Sequence, residues 1–153
     1  MDDSKLRMDH SALEIIEAKN KADINICFAI RNSVFCEEQK VKKNIEFDGL
    51  DDKSRHYLAR HANFPVATMR VRPLNDYQVK IERVAVIQTF RRKQIGKALM
   101  EKAITDIKIR GFKTVILHSQ THASIFYQKL GFKKEGKEFC EAGISHICMR
   151  FEM

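Results

Sequence analysis

Short apolar runs separated by polar punctuation make up this chain, and the period of each run points to an element. Leu13-Glu14-Ile15-Ile16-Glu17-Ala18 reads as a first strand, with a helix as the other reading. Asn20 can cap the next segment, since Ile24, Cys27, Phe28, Arg31, Val34 and Phe35 fall on one helical face. Cys36-Glu37-Glu38-Gln39 closes that helix. Residues 40–53 are a charged loop around Phe47-Asp48-Gly49, long enough to frame a pocket mouth. Residues 55–60 and 66–72 read as strands joined by the turn at Asn63-Phe64-Pro65. Beyond Pro73 and the turn at Asn75-Asp76, residues 80–87 alternate at first and become apolar on both faces from Val84, as a central strand would. Leu99, Met100, Ala103, Ile104 and Ile107 then recur at helical spacing up to Arg110-Gly111, a cation followed by a C′ glycine. Residues 114–118 form a buried strand, parallel to the central one if the crossover is right-handed. A second amphipathic helix spans 121–130 and stops at Gly131, and two strand-like runs flank Glu141-Ala142-Gly143 in the tail. The expected class is α/β (α+β): one domain over 13–153 behind a flexible polar N-terminus, 1–12.

The junction after the central strand carries the chemistry. A strand feeds Arg91-Arg92-Lys93, and a helix opens directly after it with Lys97 one turn in. A helix start offers free backbone N–H groups and a positive dipole end, which suit a phosphate, and cations add charge-assisted bonds. A phosphate-bearing cofactor is the functional reading; an ordinary strand-to-helix turn with a solvated basic rim is the structural one.

Composition narrows the classes. The 153 residues are 44% hydrophobic and 31% charged, which are globular values with room for a sizeable core. No apolar run approaches the ~18 residues of a membrane span, and Met1-Asp2-Asp3-Ser4-Lys5 lacks the features of a secretory signal, so a cytoplasmic address is expected. A net charge of +8 suits an acidic ligand, but there is no Trp and no basic stripe interleaved with aromatics, which argues against nucleic acid. Cys27, Cys36, Cys140 and Cys148 are too widely spaced for a Cys-x-x-Cys metal pair and read as buried free thiols; no metal site is expected.

The loop at Arg91, Ile95, Gly96, Ala98 and Leu99 resembles motif A of the GNAT acetyltransferases, Arg/Gln-x-x-Gly-x-Gly/Ala, with Gln94 at the middle glycine. If that position requires positive φ, Gln94 carries roughly 1–3 kcal/mol of strain. Gln120-x-x-Ala123-x-x-Phe126-Tyr127, followed by Gly131-Phe132, resembles the second GNAT signature. Ile30-Arg31-Asn32-Ser33-Val34-Phe35-Cys36-Glu37-Glu38-Gln39 looks like the start of the small ElaA-like subfamily. Glu141-Ala142-Gly143-Ile144-Ser145-His146 is similar to its Ala-Gly-Ile-Pro-His tail, with Ser145 for proline. With Arg72-Pro73-Leu74 and residues 82–86, the resemblance spans about residues 13–150.

The resemblance implies a mixed, mostly antiparallel sheet with helices on both faces. A bulge in the fourth strand makes the fourth and fifth strands splay, admitting the pantetheine arm of acetyl-CoA. It implies cofactor contacts at Val84, Ala85, Val86, Arg91, Arg92, Lys93, Gln94, Ile95, Gly96, Lys97, Ala98, Gln120, Ala123 and Tyr127. The activity implied is acetyl transfer to a primary amine of a small molecule or peptide, with a homodimer as one assembly. Other readings are an acyl-homoserine-lactone synthase, which has a similar Arg-x-x-x-Phe start, and a non-catalytic CoA- or nucleic-acid-binding module.

A lysine-like amine, with a pKa near ~10.4, is about one part in 2,500 neutral at pH 7, so a base has value. Glu82 is the first candidate, directly or through water; the other reading of it is a buried salt bridge to a strand arginine. His56 and His146 are weaker candidates. In the family the matching tyrosine, here Tyr127, faces the thioester sulfur as general acid; as an ordinary residue it would bury its ring and wet its hydroxyl. Arg31, Glu38 and His146 are the candidates to touch the acceptor, Arg31 being otherwise a stem-packed surface arginine.

Overall fold

A computed structural model describes residues 12–153. The expected flexible segment, but for its last residue, lies outside the described residues. Seven strands form one sheet in the order β1-β2-β3-β4-β5-β7-β6. They are β1 (Leu13–Ala18), β2 (Arg55–His61), β3 (Phe64–Pro73), β4 (Gln78–Val86), β5 (Thr114–Gln120), β6 (Lys133–Glu141) and β7 (Ile144–Glu152). Every neighbouring pair is antiparallel except β4 with β5. The parallel pair is the one joined through a helix, as its crossover requires.

Helices cover both faces. On one face α1 (Lys21–Arg31) starts where the Asn20 side chain accepts from the Asp23 N–H at 2.8 Å. Cys27, Ile30 and Val34 meet Leu58 and Ala85 of the sheet there. On the other face lie α3 (Ile95–Ile109) and α4 (Ser124–Lys129). The α3 stripe of Ile95, Leu99, Met100, Ala103 and Ile107 packs on Met69, Val71, Ile81, Val115 and Leu117. Each such large aliphatic side chain contributes about 1.5–3 kcal/mol by leaving water. At the end of α4, Gly131 has φ +105, and a Cβ there would stand 2.9 Å from Phe151. Conformation and space therefore both demand glycine, which seats Phe132 in the core.

Three expectations change. The first helix closes within Cys36–Gln39 as the pattern puts it, but its last stretch, Asn32–Glu38, is π-helical rather than α-helical. The charged loop contains a one-turn helix, α2 (Lys43–Glu46), on the α1 face. Of the four free cysteines only Cys27 is buried, and Cys140, on an edge strand, is exposed.

Ion pairs hold this loop to the sheet. Arg70 of β3, 0% exposed, donates to Asp48 at 2.9 Å, to Asp51 at 3.0 Å and to Glu82 at 2.6 Å. Arg31 is also buried, donating to Glu46 at 2.9 Å and Asp51 at 2.7 Å, with Phe47 4.8 Å beneath its guanidinium. Neither reading of Arg31 as a surface side chain or an acceptor contact survives. Its apolar stripe carries the arginine inward, where carboxylates from the loop meet it.

Arg70→Met should therefore destabilise the protein strongly. It keeps the packing but leaves Asp48 and Asp51 short of a partner, a loss of about 3–5 kcal/mol for a broken buried pair. A urea melt measures it, and a loss under about 1 kcal/mol would mean the pairs are solvated in practice.

Candidate active site

The site begins where two strands part. β4 and β5 stay paired only from Gln78↔Thr114 to Ile81↔Leu117. On its other side β4 pairs Arg70↔Glu82 and then Thr68↔Ala85, so β4 spends one residue more than β3 over that interval. That extra residue is a bulge, and Arg83 within it has φ 59. A left-handed arginine costs roughly 1–3 kcal/mol unless its surroundings fix it. They do: its guanidinium donates to the Glu46 carbonyl at 3.0 Å and pairs with Asp48 at 3.3 Å. The loop that Arg70 anchors thus holds the bulge that opens the sheet.

Beyond the bulge β4 keeps β3 but has lost β5. The Ile87 N–H donates to Val66 on β3 at 3.0 Å, so by strand alternation Val86 turns its N–H and C=O into the gap. The Val86 carbonyl accepts from Arg91 Nε at 2.8 Å, which leaves its N–H for a ligand. The gap opens into a cavity of about 1030 Å³ reaching both faces of the sheet.

At one end of the cavity is the start of α3. Gln94 caps it with φ 64, and Arg92 has φ 62, so the loop carries its strain at these positions. Gly96 has no positive φ; its missing Cβ leaves room for Phe126, 3.4 Å from where one would stand. The first helical bond is Ala98 N–H to Gln94 at 3.1 Å, so Ile95, Gly96 and Lys97 present the orphan N–H groups of a helix start. Arg92 and Lys97 line this end. Together they suit a pyrophosphate.

Tyr127 of α4 lines the cavity from the α3 face, 9% exposed, its ring against Phe126 and Phe132. Burial pushes its pKa up to about 12. His56 Nδ1 is the one sealed side-chain atom without a partner among the described residues, so the Tyr127 hydroxyl, which has no protein partner, opens into the cavity. Glu82 lies on the opposite face. Burial disfavours its charge, but hydrogen bonds from Arg72 at 2.9 Å and Arg70 at 2.6 Å, with Lys80 at 3.2 Å, hold its pKa at about 2.

Comparison with known proteins agrees with this geometry. The sequence profile of the Acetyltransferase (GNAT) domain matches residues 19–153. The chain belongs to the GNAT acetyltransferase family. It is 35% identical to the Bacillus subtilis protein YyaT over 92% of this chain and 97% of that one. It is 34% identical to Escherichia coli ElaA over 81% of this chain and 84% of that one. The crystal structure of ElaA superposes with a TM-score of 0.82 at 28% identity, over 92% of this chain and 99% of that one. An acyl-CoA N-acyltransferase from Pseudomonas aeruginosa superposes at 0.80 with 27% identity, over 91% and 99%. The chain is thus an ElaA-like GNAT member, and its mixed sheet splayed at β4 and β5 is the architecture that the resemblance implied.

Within this GNAT site, Val84, Ala85, Val86, Arg91, Arg92, Gln94, Gly96, Lys97, Gln120, Ala123, Tyr127, Glu82 and His146 all line the cavity. Lys93, Ile95 and Ala98 do not; Ile95 is a core anchor whose side chain points under the helix. Glu38 is corrected as an acceptor contact, because Arg91 grips it with two bonds of 2.6 and 2.7 Å. With its Nε on Val86, Arg91 braces β4 against the π-helical turn rather than presenting a free cation. Glu82 is corrected as the amine's base: a carboxylate near 2 lies roughly 8 units below a lysine-like amine. It is the buried salt bridge instead. His56 is corrected too, since its Nε2 meets the Asp51 carbonyl at 3.0 Å, burial lowers its pKa, and it lies outside the cavity. The sequence reading missed His118, two residues before Gln120 on the same face of β5, although strand alternation places it there.

Acid should weaken the fold through these carboxylates. Glu82 and Asp51 are drawn down by their arginines against burial, and Asp48 chiefly by its Arg70 hydrogen bond. Each binds its proton more weakly folded than unfolded, so their stabilisation is full above about pH 4.5 and is lost as pH falls toward about 2. Glu46 runs the other way: burial raises it and outweighs Arg83 and Arg31. The three outnumber the one, so urea midpoints should fall steadily between about pH 5 and pH 3, and Arg70→Met should flatten that slope. A midpoint independent of pH across that range would contradict the assignment.

Proposed function

We propose that this chain is an N-acetyltransferase that moves the acetyl group of acetyl-CoA to a primary amine of a small molecule or peptide. The observation that carries the reading is the gap between β4 and β5, with a helix N-terminus at one end and Tyr127 beside it. The amide-bearing pantetheine arm fits a gap edged by the unpaired Val86 N–H, and the pyrophosphate fits the orphan amides of α3 with Arg92 and Lys97. Gln120, which donates to Gln39 at 2.9 Å, closes the gap from β5.

The two faces divide the work. The amine reaches the thioester carbonyl from the α1 face, beside Glu82, and the sulfur faces Tyr127. Nitrogen attacks carbon, the C–N bond forms, and the tetrahedral intermediate expels the thiolate. A thiol near ~8.5 is roughly 3.5 units more acidic than a tyrosine at about 12, so full proton transfer is uphill by about 5 kcal/mol. Tyr127 therefore acts as a hydrogen-bond donor to the growing negative charge on sulfur, staying protonated across physiological pH.

Acetyl-CoA should raise the melting temperature, because a ligand of the folded state stabilises it by mass action. No shift at millimolar acetyl-CoA would remove this reading. Tyr127→Phe keeps the ring and should lower turnover about 10- to 1,000-fold with little change in acetyl-CoA affinity. A folded variant with unchanged turnover would return Tyr127 to the core.

A further inference from the structure

We propose that His118 is the catalytic residue that takes the proton of the acceptor amine, with Glu141 as its positioning residue; this deepens the acetyltransferase reading and rests on it. Register puts His118 in place. The last β4–β5 pair is Ile81↔Leu117, so Glu82 and His118 are the first residues on the two diverging strands. Lys80 pairs with Ile116, and alternate residues share a face, so Lys80, Glu82, Ile116 and His118 all point to the α1 side. That side is opposite Tyr127. An amine entering from it meets His118 on the β5 wall as it reaches a thioester held in the gap.

The ring is held in a useful form. His118 Nδ1 lies 3.2 Å from Glu141 Oε1, and a carboxylate there accepts from Nδ1–H. The proton on Nδ1 leaves the lone pair on Nε2, which has no protein partner and opens to the cavity. Phe139 packs edge-on against the ring at 4.9 Å and fixes its plane. His146 is differently committed. Its Nδ1 donates to the Ile144 carbonyl at 2.7 Å, and its Nε2 lies 3.8 Å from the other oxygen of Glu141. His146 Nε2 thus carries a lone pair too, but the Glu141 carboxylate stands in front of it, whereas His118 Nε2 has no protein group at hydrogen-bond or ion-pair distance.

The charged or titratable groups facing His118 are Lys80 and Glu82 on β4, Glu141 on β6, and His146 and Cys148 on β7. Glu82 is neutralised by three cations, so Glu141 is the anion nearest the ring. Protons balance across the cycle. The amine nitrogen bonds to the carbonyl carbon and gives one proton to His118 Nε2, while the C–S bond breaks and the thiolate is protonated. Solvent then returns His118 to its neutral form.

The test uses the full-length protein, acetyl-CoA, and two acceptor probes, glycine amide and Nα-acetyl-lysine amide. His118→Gln should lower kcat/KM at neutral pH about 10²- to 10⁴-fold, and more for the lysine amide, whose more basic amine needs a base most, than for glycine amide. The thermal shift with acetyl-CoA should be unchanged. Glu141→Ala should lower kcat/KM in the same direction and, in the ¹⁵N spectrum, cost His118 its preference for the Nδ1–H tautomer, a readout that a merely structural role would not move. A rate unchanged in a folded His118→Gln with both probes would overturn the proposal. If the wild type binds acetyl-CoA but acetylates neither probe, ¹⁵N NMR of the imidazoles decides. Nδ1–H with a bare Nε2 on His118 at about pH 8 supports the proposal, and Nε2–H overturns it. A wild type that does not bind acetyl-CoA defeats the acetyltransferase reading instead, and the ring spectrum still reports on His118.

Discussion

Arg70 is the constraint on which the site depends. It is sealed from water and grips Asp48 and Asp51 in the loop and Glu82 on β4. The loop so held presents the Glu46 carbonyl and the Asp48 carboxylate to Arg83. Arg83 can then stay left-handed, and its bulge turns β4 away from β5. A buried ion pair is seldom the most stable filling for a core, since desolvation offsets much of the attraction. Here the pairs hold backbone strain in one place and keep a gap open.

The gap separates the two halves of the proposed chemistry. Tyr127 belongs to the apolar core of the α3 face, and its raised pKa comes from that burial. Glu82 and His118 belong to the polar face under α1, where arginines hold Glu82 ionised. The same sheet thus keeps a neutral hydrogen-bond donor on one side and charged groups on the other. The two sets meet only through the gap.

The fold was largely legible because the runs have clear periods. The α3 stripe from Leu99 to Ile107 and the apolar β4 run both stand where the pattern puts them, and Gly111 and Gly131 end helices as expected. Gln94 was readable as a strained substitute for glycine, and its φ of 64 is that strain. Arg31 was not readable, because a cation in an apolar stripe says nothing about carboxylates 15 and 20 residues away. Glu82 was half readable: its neighbours in sequence marked a site, but the value of its pKa depends on Arg70 and Arg72 across the sheet. The commitment of Arg91 to Glu38 is a contact 53 residues long, and no local pattern encodes it.

Amide hydrogen exchange at Val86 tests the central claim, that the gap held open by Arg83 is where the acyl donor lies. The Val86 N–H faces the gap, whereas the Ile87 N–H is already bonded to β3. Without a donor, Val86 should exchange quickly and Ile87 slowly. Saturating acetyl-CoA should slow Val86 by roughly tenfold or more and leave Ile87 nearly as it was. If acetyl-CoA binds and Val86 exchanges at its unliganded rate, the donor lies elsewhere and this account of the gap is wrong.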